Sequence, residues 1–162
     1  MYSKKDNRVV LLPLDGSDNS ERAFEWYAYQ MHRKGDTAIL VNIVEPVYAT
    51  PPINSIDNSA LSNDSVSQQM QDIIEDGKQL TQRFLHMAKN ANIQAKAFIH
   101  IDSKPGPAVV KCAKEYHADV IVVGNRGVSK LRRTFLGSVS DFILQHAHLP
   151  IVIVPKEKVP DD

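Results

Sequence analysis

The chain has 162 residues, which is enough for one domain with a substantial hydrophobic core. Its 19 basic and 19 acidic side chains give a formal net charge of zero, so no overall field draws it to nucleic acid or to an anionic membrane. The only cysteine, Cys112, excludes an internal disulfide and a thiolate zinc cluster, and the longest apolar runs fall far short of the ~20 residues that cross a bilayer. Because the first apolar run breaks at Pro13 and Asp15, we expect no signal peptide and a cytoplasmic location. The balanced charge and the short apolar runs lead us to expect no nucleic-acid or membrane partner.

The first part of the sequence alternates strand and helix patterns. Residues 9–14 form a continuous apolar run, which is typical of a strand buried on both faces of a parallel sheet. A helix is predicted to follow, with Ser17 or Asp18 as its cap and Gly35 as its end. Residues 37–44 are again apolar and rich in β-branched side chains, and they predict a second strand.

The middle of the chain predicts a loop followed by a long helix. Residues 45–66 contain three prolines and many Ser, Asn and Asp residues without apolar periodicity, which favours an irregular loop. From Val66 onward a 3.6-residue apolar period predicts one long amphipathic helix, with Gly77 on its inward stripe. Residues 95–101 predict the third strand.

The last part of the chain repeats the alternation. Pro107 suits the first turn of a helix, in which Cys112 faces the core as a small apolar side chain. Residues 120–123 predict the fourth strand, and the final helix places His146 on its inward stripe. Residues 151–154 predict a fifth strand.

This alternation predicts a single domain over residues 1–162, with short tails at 1–7 and 156–162. Strands joined by helices imply right-handed crossovers and a parallel sheet covered on both faces. We therefore predict a doubly wound α/β fold of the Rossmann-like type, with five strands in the order 3-2-1-4-5. Ligands of such sheets bind beyond the carboxyl ends of the strands at the switch point, between the first strand and the fourth.

Three glycines follow the fourth strand at a spacing that suits an anion site. Gly124 and Gly127 are separated by two residues, and nine more separate Gly127 from Gly137. Glycines let a backbone approach a ligand closely, and the first N–H groups of the following helix have no partner within the helix. Ser138 and Ser140 add hydroxyl donors at the same helix end. The pattern predicts a polyphosphate site, with a tight connection that binds nothing as the alternative.

This glycine pattern resembles that of the ATP-binding universal stress proteins, whose loop has Gly, two residues, Gly, nine residues, Gly and then Ser or Thr. The resemblance extends to the turn at residues 13–17, to the strand at 118–124 and to the closing segment at 149–154. It therefore covers almost the whole chain. It implies an adenine-nucleotide site for ATP, with Mg²⁺ held through the phosphates and water.

The resemblance also assigns positions around the nucleotide. The residues expected near the ribose and the base are Pro13, Leu14, Asp15 and Ile43. Those expected along the nucleoside and around the phosphates are Val123, Gly124, Gly127, Gly137, Ser138, Val139 and Ser140. For Asp15 the alternative is a turn or helix-capping aspartate. The loop cation Arg126 is a further phosphate candidate, with a merely solvated side chain as its alternative.

The expected function is that of an ATP-binding regulatory protein in the stress response, with at most slow ATP hydrolysis. We assign no catalytic residue, since the chain has neither a Walker lysine after its glycines nor a Ser-Gly-Gly-x-Asp-Ser loop, and no histidine spacing for a metal. Members of the resembled family commonly dimerise, and the edge strand at 151–154 is where we expect a second copy to pair. A nucleotide-free dimeric interaction scaffold of the same fold is the alternative function.

Overall fold

The structure, a computed structural model, describes residues 4–48, 63–125 and 137–156, and over these ranges five strands alternate with four helices. The strands are β1 (Val9–Leu14), β2 (Thr37–Val44), β3 (Gln94–Ile101), β4 (Val120–Gly124) and β5 (Ile151–Val154). The helices are α1 (Asp18–Trp26), which continues as a π-helical turn at Tyr27–Met31, α2 (Asn63–Asn90), α3 (Pro105–Glu115) and α4 (Ser138–His146). None of the described helices is long and apolar enough to cross a membrane. Residues 1–3 and 157–162 of the predicted tails lie outside these ranges.

The five strands form one parallel sheet in the order β3-β2-β1-β4-β5. Leu12 of β1 lies beside Leu40 of β2, and Ile121 of β4 lies beside Ile151 of β5. The chain first builds the sheet outward from β1 to β3 and then returns to the other side of β1 for β4. The predicted doubly wound fold and its strand order are therefore confirmed, with the switch point between β1 and β4.

Two apolar layers cover the sheet, one on each face. Successive strand residues point to opposite faces, so Leu12 packs with α1 and α2, whereas Leu11 packs with α3 and α4. Phe24 of α1 and Phe84 of α2 meet edge to face, with 5.5 Å between their ring centroids. Cys112 is buried in the second layer as predicted, and burial raises the pKa of its thiol to about 11. The thiol therefore stays protonated at neutral pH.

The irregular loop predicted for residues 45–66 ends earlier than expected, because α2 begins at Asn63. Residues 49–62 lie outside the described part of the chain. Gly77 is buried on the inward face of α2 as predicted, and a Cβ added there would lie 2.7 Å from Asn42 Oδ1. Glycine at this position therefore lets α2 approach the carboxyl end of β2.

The prediction that His146 faces the core is wrong. The residue is exposed at the end of α4, where its ring stacks on that of Phe142 with 4.0 Å between the centroids. Its Nδ1 lies 2.8 Å from the Phe142 carbonyl oxygen. The buried positions of this segment are Ser140, Ile143 and Ala147, so the inward stripe of α4 passes one position away from His146.

Arg8 and Asp36 join the amino-terminal ends of β1 and β2, at the edge of the sheet opposite to the strands' carboxyl ends. Arg8 Nε and Nη2 donate hydrogen bonds to the two Asp36 carboxylate oxygens at 2.8 and 2.7 Å. The Tyr27 hydroxyl and the Arg33 N–H donate to Asp36 Oδ2 at 3.2 and 3.0 Å. Burial alone would raise the pKa of Asp36, but the hydrogen bonds from Arg8 and from the Arg33 backbone lower that pKa below its ordinary value.

We expect Asp36→Asn to lower the free energy of unfolding by about 3 kcal/mol near neutral pH, because Arg8 would keep its charge without a partner. The folded-state pKa of Asp36 lies below the unfolded-state value. The stabilisation of the folded state by the ionised Asp36 carboxylate is therefore complete above the unfolded-state pKa. It is lost as the pH falls through the folded-state pKa. Urea denaturation of both proteins from about pH 7 to pH 3 should show a difference that shrinks at the acidic end.

The matched control is Glu75→Gln, which breaks an exposed ion pair with Lys78 at 3.9 Å. This control should change the free energy of unfolding by less than about 0.5 kcal/mol. A wild-type-to-Asp36→Asn difference that stays constant with pH would contradict the assignment of a lowered pKa to Asp36.

Candidate functional site

A cleft of about 670 Å³ opens at the carboxyl ends of β1, β2 and β4. It lies next to the switch point of the sheet, and its volume is within the ordinary range for small-molecule sites. Ten of the twelve residues expected at a binding site line it. They are Pro13, Leu14, Asp15, Ile43, Val123, Gly124, Gly137, Ser138, Val139 and Ser140. The other two, Arg126 and Gly127, lie outside the described residues.

Seven further residues line the cleft and are not predicted from the sequence. They are Asn19, Ser20, Val41, Asn42, Glu45, Pro105 and Val109. Asn42 carries the clearest sequence signal, since it is an amide side chain within an otherwise apolar strand. Pro105 and Val109 belong to α3, whose apolar periodicity places the helix against the sheet without showing that it reaches the cleft. The apolar wall on that side is therefore visible only in the folded chain.

The turn after β1 holds the Asp15 carboxylate at the cleft. Gly16 has a φ of +76°, a left-handed conformation that glycine adopts without strain. The N–H and the hydroxyl of Ser17 both donate to Asp15 Oδ1, the N–H at 3.0 Å. Ser17 occupies the N-cap of α1, but its hydroxyl bonds to Asp15 and does not cap the helix. Asp15 therefore has the turn-forming role that was the alternative prediction, and it also lines the cleft.

Asn42 ties the carboxyl ends of β1 and β2 together. Its Nδ2 donates to the Leu14 carbonyl oxygen at 2.8 Å, and the residue is 7% exposed. Leu14 is also its partner in the strand register, so the side chain adds a bond where the ladder ends. The bond fixes the spacing between the Asp15 turn and the end of β2, where Ile43 and Glu45 line the cleft.

Gly124 is required by the packing of the protein itself. A Cβ added at this position would lie 2.1 Å from the backbone carbonyl oxygen of Asn19, in the first turn of α1. Real Cβ atoms do not approach backbone atoms so closely, so a larger residue would push α1 away from β4. The buried hydroxyl of Ser140 donates to the Gly124 carbonyl oxygen at 3.5 Å. Gly124 is thus in contact with α1 on one side and with α4 on the other.

Gly137 differs, because nothing in the described structure demands glycine there. Its φ of −59° is open to any residue, and no described atom lies within 4 Å of an added Cβ. It occupies the N-cap of α4 and, lacking a side chain, supplies no cap. The amide groups of the first turn, in Ser138, Val139 and Ser140, are therefore placed beside the cleft without a capping side chain at the N-cap.

The two sides of the cleft differ in electrical character. Asp15 and Glu45 bring carboxylates to the ends of β1 and β2, whereas α4 brings amide donors and the positive end of its dipole. Such a cleft suits a ligand that has hydrogen-bond donors at one end and an anionic group at the other. Over residues 4–48, 63–125 and 137–156, no group of three or more His, Cys, Asp or Glu could hold a metal ion.

A match to a known family spans almost the whole chain, since the model described as the universal stress protein family matches residues 6–155. The chain belongs to the universal stress protein family. Universal stress protein MJ0531 of Methanocaldococcus jannaschii is 28% identical over 154 residues, covering 93% of this chain and 84% of that relative. Universal stress protein YxiE of Bacillus subtilis is 27% identical over 146 residues, covering 90% and 97%. The membership of the universal stress protein family that the glycine pattern indicates is therefore confirmed.

Solved structures of universal stress proteins share the Rossmann-like fold. UspA of Lactobacillus plantarum has a TM-score of 0.73 at 19% identity and covers 93% of this chain and 99% of its own. An AMP-bound family member from Arabidopsis thaliana has a TM-score of 0.68 at 21% identity, covering 93% and 92%. A universal stress protein in complex with cAMP has a TM-score of 0.58 at 22% identity, covering 93% and 98%. At these identities the likeness establishes the fold.

We expect the two glycines to respond differently to substitution. Gly124→Ala should lower the free energy of unfolding by about 2 kcal/mol or more, because its Cβ would meet the Asn19 backbone. Gly137→Ala should lower it by less than about 1 kcal/mol, which is the ordinary effect of alanine at an N-cap. Urea denaturation of the ligand-free proteins measures both effects. Equal losses in the two variants would contradict the packing role of Gly124.

Proposed function

We propose that this universal stress protein binds ATP in the cleft and acts as a nucleotide-dependent regulatory protein, with at most slow hydrolysis. The observation that carries the proposal is the start of α4, which has no side-chain cap at its N-cap Gly137 and lines the same cleft as Gly124 and Asp15. Two relatives of the same fold are solved with AMP and with cAMP, which supports an adenine nucleotide as the ligand class. All the described residues that line the cleft belong to a single copy of the chain.

The polarity of the cleft assigns an orientation to the nucleotide. The triphosphate would lie at the start of α4, where the amide donors of the first turn and the helix dipole favour negative charge. The ribose hydroxyls would donate to the Asp15 carboxylate. The base would lie against the apolar side chains of Ile43, Pro105 and Val109.

A magnesium ion would be held through the phosphates and water. The described residues offer no cluster of three or more His, Cys, Asp or Glu for direct coordination. Mg²⁺ commonly keeps several of its waters and binds through substrate phosphates, so the cleft suits Mg-ATP without a dedicated protein cage. The ion would neutralise phosphate charge there, while the protein orients the nucleotide through the α4 amides.

We further propose a cytoplasmic, single-domain protein that pairs with a second copy along β5. Among the described strands, β5 has only β4 as a neighbour, and its residues Ile151, Val152 and Ile153 are half-buried in the single chain. An edge with unpaired backbone groups and apolar side chains suits a symmetric partner strand. The same edge favours the alternative function, a nucleotide-free dimeric scaffold. Sedimentation velocity that shows only monomers would refute the pairing.

Titration of Mg-ATP into the purified protein tests the proposed site. We expect Gly137→Val to weaken binding at least about tenfold, because its side chain would enter the space of the phosphates beside the α4 amides. The matched control is Leu144→Val, at an exposed position of the same helix, which should bind like the wild type. Binding that is absent from the wild type, or equal in all three proteins, would count against the proposal and in favour of the scaffold.

The ribose contact of Asp15 has its own test. Asp15→Asn keeps an Oδ1 acceptor for Ser17 but loses the charge, so the turn should remain. We expect ATP to bind about tenfold more weakly to this variant, because a charge-assisted hydrogen bond to the ribose is lost. The affinity for 2′,3′-dideoxy-ATP, which lacks both hydroxyls, should not change. An equal loss for the two nucleotides would show that Asp15 acts only on the turn.

A further inference from the structure

Arg22 of α1 bridges three separate parts of the chain behind the cleft. Its Nε donates to the Pro155 carbonyl oxygen, just after β5, at 2.9 Å. Its Nη2 donates to Asn19 Oδ1 at 2.9 Å and to the Asn125 carbonyl oxygen, just after β4, at 3.0 Å. The planar guanidinium can serve acceptors in these different directions at once, which a lysine ammonium on the same stem cannot reproduce.

Asn125 carries the connection onward to α4. Its N–H donates to the Val154 carbonyl oxygen at 2.9 Å, and its Oδ1 accepts from the Gly137 N–H at 3.4 Å. Ser140 adds a second link between the same two segments through its bond to the Gly124 carbonyl oxygen. We call Arg22 and Asn125 together the clasp. It joins the end of β4 to the start of α4 through described residues alone.

We propose that Arg22 is a positioning residue for phosphate recognition, an inference that rests on the nucleotide-binding function proposed above. Arg22 is not among the described residues that line the cleft, so it would act through its partners Asn125 and Asn19, of which Asn19 lines the cleft. By holding the Asn125 carbonyl, Arg22 sets the distance between Gly124 and Gly137. Both glycines line the cleft at the end where the phosphates would lie.

This role predicts that loss of Arg22 affects the binding of ATP and the binding of adenosine differently. The nucleoside part of ATP would contact Asp15 and the apolar wall, whereas the hydrogen bonds described above join Arg22 to Asn19, Asn125 and Pro155. The phosphates would contact the α4 amides, whose position the clasp sets. Loss of the clasp should therefore weaken ATP binding and leave adenosine binding unchanged. A general loss of structure would weaken both ligands together.

The experiment compares Arg22→Met, Arg22→Lys and a control, Arg83→Met, by calorimetric titration with Mg-ATP and with adenosine. Arg83 also bonds across helices, donating to Glu21 at 3.0 Å, but it does not line the cleft. We expect Arg22→Met to raise the dissociation constant for ATP about tenfold and to leave that for adenosine within about twofold. Arg22→Lys keeps the charge without the guanidinium geometry and should resemble Arg22→Met. Arg83→Met should bind both ligands like the wild type.

A second readout needs no nucleotide. In the ligand-free protein, loss of Arg22 should change the amide resonance of Gly137 and speed its hydrogen exchange, because the Asn125 acceptor would no longer be held. Arg83→Met should leave both unchanged. The Gly137 amide thus reports on whether the clasp is intact, independently of the affinity for ATP.

Three results would overturn the inference. An equal loss for ATP and adenosine would make Arg22 only a structural residue. Wild-type affinity in Arg22→Lys beside weak binding in Arg22→Met would show that its charge acts and its geometry does not. An unchanged Gly137 amide in Arg22→Met would show that there is no clasp. Failure of the wild type to bind ATP is a different result, which would refute the proposed function and the positioning role with it.

Discussion

The close approach of α1 to the end of β4 is the constraint on which the cleft depends. Gly124 leaves room for the Asn19 carbonyl oxygen, which an added Cβ would meet at 2.1 Å. Because the two backbones touch, the turn after β1 and the start of α4 open into one cleft. The same approach brings Arg22, one helical turn beyond Asn19, within hydrogen-bonding distance of Asn125. The geometry of the site and its clasp thus follow from packing around one glycine.

The sheet could be predicted from the sequence because its three central strands, β1, β2 and β4, are mostly buried. Continuous apolar runs such as Val9–Leu14 and Ile151–Val154 have few other interpretations, and their bounds agree with the structure. Helix details were harder, since they depend on which face meets the sheet. His146 lies only one position from the buried stripe of α4, and periodicity over a short helix does not resolve such a rotation. The π-helical turn after α1 has no sequence signature at all.

The site was predictable where its residues are close in sequence and unpredictable where the fold alone brings them together. The glycine spacing places Gly124 and Gly137 at one end of a helix, and the switch-point rule brings Asp15 beside them. Asn42 and Pro105 reach the cleft only through the packing of β2 and α3. Arg22 is a further case, since an arginine on an amphipathic helix is usually solvated. Only the folded chain adds the carbonyl oxygens of Asn125 and Pro155 to its local acceptor Asn19.

Gly124 at the end of β4 and Gly137 at the start of α4 belong to one motif, but the reasons for glycine differ between the two positions. Gly124 is explained without a ligand, because α1 occupies the space of its side chain. Gly137 has an unstrained φ of −59° and open space around its Cβ, so neither conformation nor packing against described residues requires it. A phosphate held by the α4 amides would occupy that space, and this accounts for a glycine there. The fold therefore explains the glycine at position 124, whereas the proposed ligand would explain the glycine at position 137.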